Sequence, residues 1–223
     1  MNLDLHLHTA HSVDAITKPS TLAKTMAKKN IGFAITDHNL VNAWKDLNRY
    51  CKELGIPFIQ GEEVYAFHEG ILVGEFIGLF LNEPIKSRQL FEIIDEVKGQ
   101  GALLSVPHPF DVFRKGLGRH VHLLEQVKKQ VDLVEAWNAR CYSKGFNARA
   151  KKFAEENAIT KIGVSDSHSP NELGNGFTLV EANDLDEARQ ALKNGKTQVY
   201  GRKAPLTVHM MTQFAKRKWI HPV

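Results

Sequence analysis

Short apolar runs alternate along the chain with segments in which apolar residues are spaced three and four apart. The first run shows the pattern clearly, because Leu3, Leu5 and Leu7 alternate with Asp4, His6 and His8. Such a period of two is typical of a β-strand with its polar side chains on one face. The predicted strands span residues 3–7, 31–36, 56–60, 71–81, 102–106, 131–134 and 159–164, with a further strand at 177–180.

Helical patterns separate these runs. Residues 17–20 carry start signals for a first helix, and Leu40, Trp44, Leu47 and Cys51 have helical spacing in a second one that Gly55 ends. Further helices are predicted around residues 90–97, at about 145–156, and from Asp184 to Gly195. Alternating strands and helices predict a parallel α/β sheet with right-handed crossovers, either open or closed into a barrel.

Polar residues that can bind metal ions stand at or near the ends of most predicted strands. The carboxyl ends of parallel strands meet at one edge of a sheet, so we expect these side chains to converge. Mixed imidazole and carboxylate ligands suit manganese, iron or zinc, and the number of ligands suits two or three ions. Taken alone, His6 and His8 also fit a polar strand face of hydrogen-bonded histidines. The candidate ligands are His6, His8, Asp14, His38, Glu63, Glu75, His108, Asp166 and His168.

Composition narrows the class of protein. A chain of 223 residues with 43% hydrophobic and 24% charged residues is expected to form one domain, residues 1–223, without a membrane span. We expect a cytoplasmic location, because no signal peptide is evident. Cys51 and Cys141 are far apart, which favours buried free thiols. The net charge of +4 is spread along the chain and favours anionic substrates, and nucleic acid is a less favoured partner.

Five short stretches, in this order, resemble the PHP (polymerase and histidinol phosphatase) domain family of metal-dependent phosphoesterases. They are residues 4–9 (DLHLHT), 36–38 (TDH), 61–63 (GEE), 107–109 (PHP) and 165–168 (SDSH). The resemblance covers about residues 2–182 and leaves 183–223 as a C-terminal extension. It implies a distorted (β/α)7 TIM-like barrel, two or three divalent metal ions (Mn²⁺, Zn²⁺ or Fe²⁺), and hydrolysis of a phosphate ester.

The resemblance also implies roles for the candidate ligands. His6 and His8 would bind one metal ion, and Glu63 would bridge to a second. His38 and His108 match ligands of the remaining ions, and Asp166 and His168 match the last pair. Asp14 corresponds to an acidic residue that the family often has one place earlier, where this chain has Val13.

Glu75 departs from the family pattern, because many relatives have a histidine at this place. A carboxylate can still bind a metal ion, so we expect either an altered metal preference or the loss of a third ion. His68 lies nearby in sequence and could substitute, although a surface position is the favoured interpretation.

Arg140 is the first candidate for a phosphate-binding residue, because residues 137–140 (WNAR) resemble a stretch near the substrate phosphate in relatives. An exposed arginine at a helix start is the alternative. Arg114, Lys115 and Arg119 are weaker candidates. In the expected mechanism a metal-activated water attacks phosphorus, and Asp166 or a histidine such as His168 protonates the leaving group. We expect structural or surface roles for His11, His120, His122, His209 and His221.

Other functions stay open at this point. A small phosphomonoester is the favoured substrate, and the 5′ end of an oligonucleotide is the alternative within the same chemistry. A non-catalytic or regulatory metal-binding domain would account for Glu75. Metal-dependent amide hydrolysis is disfavoured, because no strand-end lysine is evident. The basic, aromatic residues 216–223 are expected to form a tail or surface patch, with nucleic-acid contact a minor interpretation.

Overall fold

The computed structural model describes residues 1–220, although not every side chain of the last helix. The strands are β1 (Asn2–Asp4), β2 (Gly32–Ile35), β3 (Phe58–His68), β4 (Ile71–Leu79), β5 (Leu103–Val106), β6 (Leu133–Asn138), β7 (Thr160–Val164), β8 (Gly176–Val180) and β9 (Thr197–Gly201). The α-helices are α1 (Pro19–Lys29), α2 (Trp44–Leu54), α3 (Leu90–Gly99), α4 (Val121–Val127), α5 (Lys144–Glu156), α6 (Leu185–Lys193) and α7 (Thr207–Ile220).

The nine described strands form one sheet in the order β7-β6-β5-β4-β3-β2-β1-β8-β9. Past the ends of β1 and β7 the backbone pairs again, since Asp166 N–H donates to the His6 carbonyl (2.9 Å) and His8 N–H to the Ser167 carbonyl (3.0 Å). These bonds bring the first and seventh strands together and nearly close the sheet. The predicted distorted barrel is therefore confirmed.

The strand β4 runs antiparallel to both of its neighbours, whereas β1–β3 and β5–β7 are parallel sets. The predicted parallel arrangement does not hold at β4, because β3 turns directly into β4 without a helix. The turn residues Glu69 and Gly70 have φ angles of 50° and 76°, as a tight hairpin turn requires. Consequently Glu63 lies within the long strand β3, and Glu75 lies in the middle of β4.

Two buried apolar clusters hold the helices on the sheet. The larger contains side chains of α1 to α5, such as Met26, Trp44 and Phe153, against strand residues such as Phe33. The smaller joins Leu3, Ile162 and other strand residues to side chains of α6. Leu3, Leu5 and Leu7 are all buried, and so are the polar residues that alternate with them.

Several predicted helix boundaries are confirmed. Gly55 ends α2 with a φ of 65°, although the helix begins only at Trp44, so Leu40 lies outside it. Asp184 caps α6 by accepting a hydrogen bond from the Glu187 N–H group (2.8 Å). Helices α4 and α7 and strand β9 were not predicted. Among the helices within residues 1–220, none has the length and apolar character of a membrane-spanning segment.

Candidate metal centre

Glu63 occupies the centre of a buried group of imidazoles. Its Oε2 lies 3.3 Å from His6 Nε2, 3.4 Å from His8 Nε2 and 3.0 Å from His38 Nδ1. His6 and His8 extend from the end of β1, and His38 follows β2. The three neighbouring strands thus direct four side chains to one point, as the alternation in the sequence predicts.

Asp166 completes the first group of donor atoms. Its Oδ1 lies 3.6 Å from the Nε2 atoms of both His6 and His8, which are 2.9 Å apart. Four ligand atoms placed about 2.1 Å from a common zinc ion in a tetrahedron lie about 3.4 Å apart. The spacing of the His6, His8 and Glu63 atoms, together with their mixed nitrogen and oxygen chemistry, therefore fits one divalent ion, and Asp166 Oδ1 lies beside the two histidines.

A second group of donor atoms adjoins the first through Glu63. The Nε2 atom of His108 lies 3.6 Å from Glu63 Oε1 and 3.7 Å from Glu75 Oε2. Both ring nitrogens of His108 and the Oε1 atom of Glu63 are buried and form no hydrogen bond with the described residues. Unpartnered buried polar atoms are costly, so atoms of this kind fit a site for a cation. Glu75 thus reaches the cluster, with a carboxylate where many relatives have an imidazole.

Asp14 and His168 lie on the third side of the cluster. The Oδ2 atom of Asp14 is 3.5 Å from His38 Nε2 and 3.6 Å from His168 Nε2. His8, His38 and His168 also bring one nitrogen each within 4.8 Å of one another. All nine predicted ligands therefore meet in one place. His68 does not join them, because its ring packs edge-on against Phe91 of α3.

The buried side chain of Glu135 orients two candidate ligands by hydrogen bonds on the side away from the cluster. His6 Nδ1 donates to Glu135 Oε1 at 2.6 Å, which orients the ring and leaves Nε2 facing the cluster. The other oxygen of Glu135 accepts hydrogen bonds from the His108 N–H group and the Asn138 amide, each at 2.8 Å. One carboxylate at the end of β6 thus holds two candidate ligands. Glu135 is a site residue outside the predicted set, although it follows a predicted strand.

The loop after His8 is fixed by Asp37. Its side chain accepts hydrogen bonds from Thr9 N–H (2.7 Å), the Thr9 hydroxyl (2.6 Å) and the Ser12 hydroxyl (2.8 Å). Ser12 in turn accepts from the His38 N–H group at 3.0 Å. The TDH stretch therefore supplies a ligand candidate and, one residue earlier, a residue that holds the loop carrying Asp14.

The charges in the cluster compensate one another. Burial lowers the pKa of His6, but Asp166, Glu63 and Glu135 outweigh burial and raise this pKa well above its usual value. Burial raises the pKa of Glu63, yet His6 and His38 hold it well below its usual range. The Glu63 carboxylate consequently stays ionised at neutral pH, as a ligand of a cation must, whereas burial and the neighbouring Glu63 raise the pKa of Glu75.

Whereas the pKa of His6 is raised, that of His168 is lowered. Burial and the nearby Arg140 lower its pKa to about 3, so its imidazole is neutral at pH 7. Its Nδ1 donates to the Asp166 carbonyl at 2.8 Å, which leaves Nε2 free to bind. Burial raises the pKa of Asp166, but Arg114 and His6 pull it well below its usual value. Neither group is a good proton donor at neutral pH, and both have the properties of ligands.

A cavity of about 160 Å³ opens over the cluster. Its wall combines Asp14, His38, Glu75 and His168 with the cationic residues Arg114, Lys115, Arg140 and Lys216. Cationic side chains beside a cluster of carboxylates and imidazoles suit an anionic ligand.

Arg140 is buried, so the alternative of an exposed arginine at a helix start is wrong. Its guanidinium pairs with Glu172 (3.2 Å) and donates to the Thr212 hydroxyl (2.5 Å). Arg114, a weaker candidate from sequence, pairs directly with Asp166, and Lys115 lies 3.8 Å from Glu75. The cavity therefore has several basic residues in place of a single clamp.

The helix α7 contributes residues that no sequence pattern predicts. His209, which was expected to be structural or on the surface, lines the cavity with its ring stacked on Tyr142. Lys216 lies in the stretch that was expected to be a tail or surface patch, yet its Nζ is 3.6 Å from Asp14. No periodic pattern in the sequence predicts the helix α7. His221 lies outside the described residues, and His120 and His122 pack on each other away from the cavity lining.

The family model of the PHP domain matches residues 4–194. The chain belongs to the PHP domain family. This match covers all nine candidate ligands and the strands that carry them, and it ends before β9 and α7.

Two relatives come from Methanocaldococcus jannaschii, and both are described as uncharacterized proteins. One is 38% identical over 180 residues, which cover 79% of this PHP chain and 69% of the relative. The other is 35% identical over 151 residues, which cover 62% of this chain and 82% of the relative.

Solved structures share the PHP fold at low sequence identity. One is a two-domain protein of Bacteroides vulgatus that contains a predicted PHP-like metal-dependent phosphoesterase. The match covers 96% of this chain and 69% of that protein, with a TM-score of 0.75 and 19% identity. Another is a structure from Chromobacterium violaceum, described as an amidohydrolase with bound sulfate and no metal. The match covers 86% of this chain and 97% of that protein, with a TM-score of 0.66 and 15% identity.

Proposed function

We propose that this protein hydrolyses a phosphate monoester of a small molecule or nucleotide with the help of two or three divalent metal ions. The observation that carries the proposal is the set of donor atoms around Glu63, whose two oxygens face different histidines. A carboxylate in that position is suited to bridge two ions.

Each candidate residue has a role in this proposal. His6, His8, Glu63 and Asp166 would hold one ion, and His38, His108, Glu63 and Glu75 would hold a second. Asp14 and His168 would hold a third. When bound, divalent ions stabilise charge on phosphoryl oxygens and make water a better nucleophile at neutral pH.

The chain's own residues bind and orient the substrate. Arg140, held by Glu172 and Thr212, and the loop residues Arg114 and Lys115 would neutralise the phosphate from the cavity wall. Asp166 and His168 serve as ligands here, since their low pKa values disfavour donation of a proton to the leaving group. The cavity is small, which favours a compact ester over a polynucleotide.

The test is phosphate release by the full chain with Mn²⁺, Zn²⁺ or Fe²⁺, measured on a panel of small phosphomonoesters and on short 5′-phosphorylated oligonucleotides. We expect turnover of at least one small monoester. Metal content measured by elemental analysis should be two or three ions per chain. We expect Glu63→Gln to lower kcat/KM by about 100-fold or more, whereas the exposed Glu125→Gln on α4 should not.

Three results would contradict the proposal in distinct ways. Turnover of oligonucleotides alone would indicate an exonuclease or 5′-end phosphatase. Tightly bound metal without hydrolysis across the panel would indicate a non-catalytic or regulatory domain. Hydrolysis of amides alone would favour the activity named for the Chromobacterium violaceum structure, although among the described residues no lysine is buried beside the cluster.

A further inference from the structure

The helix α7 adds polar side chains to the cavity although it lies outside the part of the chain that the PHP family model matches. His209, Thr212 and Lys216 all line the cavity. Their positions differ by three and four residues, so they share one face of the helix. The cavity therefore has a wall that the barrel itself does not supply.

Two residues of one barrel segment, Arg140 and Tyr142, hold α7 in place. Thr212 accepts a hydrogen bond from Arg140 at 2.5 Å, and the His209 ring stacks on Tyr142 with centroids 4.0 Å apart and planes inclined by 13°. Val208 and Ala215 are buried. The helix thus packs on the segment that follows β6, which positions its polar face over the candidate ligands.

Lys216 is held by a long ion pair at this face. Its only ion pair among the described residues is the 3.6 Å approach of Nζ to Asp14 Oδ2, which is longer than a hydrogen bond, and 43% of the side chain is exposed. Arg140, in contrast, already uses both terminal nitrogens on Glu172 and Thr212. An anion in the cavity could therefore gain more from the ammonium group than from the guanidinium.

We propose that Lys216 binds the phosphate of the substrate, so that α7 completes the substrate site from outside the barrel. This inference rests on the proposed function for the identity of the ligand. Lys216 faces the phosphate from α7, while Arg140 and Arg114 face it from the barrel.

The test is the binding of inorganic phosphate to the Mn²⁺-loaded full chain by isothermal titration calorimetry. We expect Lys216→Ala to weaken binding about 10-fold, which is typical of the loss of one charge-assisted contact. Lys216→Arg should retain most of the affinity. The matched control is Lys193→Ala, which removes an exposed positive charge from α6 and should leave binding unchanged. Unchanged affinity in Lys216→Ala would overturn the proposal.

Kinetics give a second readout. With any monoester that the wild-type protein hydrolyses, Lys216→Ala should raise KM about 10-fold and change kcat by less than about 3-fold. A higher kcat with unchanged KM would also overturn the proposal, because it would make α7 an inhibitory cover. If the wild-type protein hydrolyses no ester, the proposed function fails, and phosphate binding still decides the role of Lys216.

Discussion

Glu63 is fully buried, and a buried carboxylate without partners costs several kcal/mol. This chain offsets that cost with four imidazoles around the two carboxylate oxygens. Four imidazoles around one carboxylate are more than a structural ion pair requires. At the scale of single residues, the cluster therefore has the composition of a site prepared for cations.

The hydrogen bonds of Glu135 to two candidate ligands give a prediction about metal affinity. Glu135→Gln replaces an anionic acceptor of the His6 and His108 hydrogen bonds by a neutral amide of the same shape. We expect metal affinity to fall about 10- to 100-fold with little change in the fold. Competition with a chelator measures the affinity, and circular dichroism checks the fold. Equal metal affinity in Glu135→Gln and wild type would show that the Glu135 hydrogen bonds do not affect metal binding by His6 and His108.

The two cysteines give a prediction of pH dependence. Burial raises the pKa of Cys51 to about 12, and burial likewise raises the pKa of Cys141. Because the thiolate is the reactive form, both thiols should resist a disulfide reagent at pH 8 in the native state. Any residual rate should rise about tenfold per pH unit up to pH 10. Rapid labelling of both thiols should follow unfolding in urea, and native labelling at pH 8 would refute the prediction.

At the scale of elements, the β3–β4 hairpin decides where Glu63 and Glu75 meet. In this hairpin Glu63 pairs in register with Ile77, and Glu75 with Tyr65. The positions of Glu63 and Glu75 therefore differ by two residues along the paired strands, so their side chains lie on the same face. A helix between these strands would have separated the two carboxylates. The turn at Glu69 and Gly70 is thus a condition for the cluster.

Gly70 supplies the prediction for this element. At a φ of 76° an alanine is strained, although an added Cβ would meet no atom within 4 Å. We expect Gly70→Ala to lower the free energy of unfolding by about 1 kcal/mol, as measured in urea. The matched control is Gly99→Ala in α3, where an added Cβ also meets nothing and φ lies outside the left-handed region. That change should be neutral or stabilise by up to about 1 kcal/mol. Equal effects of the two changes would contradict the backbone explanation.

At the scale of the whole molecule, the candidate ligands connect distant parts of the chain. They extend from His6 beside β1 to His168 beyond β7, where the sheet nearly closes. An unfolded chain does not hold these side chains together. A cation that binds them therefore binds the native state, and its binding free energy adds to stability.

The corresponding prediction concerns thermal unfolding. Mn²⁺ or Zn²⁺ at about 100 times its Kd should stabilise the fold by about 2.7 kcal/mol, which raises Tm by roughly 5–10 °C for a chain of this size. Differential scanning calorimetry with and without a chelator measures the shift. The shift should be lost in the double variant His6→Ala with Glu63→Gln. A Tm that no divalent ion changes would contradict the proposal of a metal site.

The sequence by itself determined eight of the nine described strands, most helix boundaries and all nine candidate ligands, because these depend on local periodicity and on residue type. His6 and His8, for example, are marked by their alternation with leucines. Tertiary structure alone decided the antiparallel direction of β4, the support of His6 by Glu135, and the position of α7 over the cavity. Those features depend on contacts between residues far apart in the chain, such as Thr212 with Arg140 and Lys216 with Asp14, which no local pattern encodes.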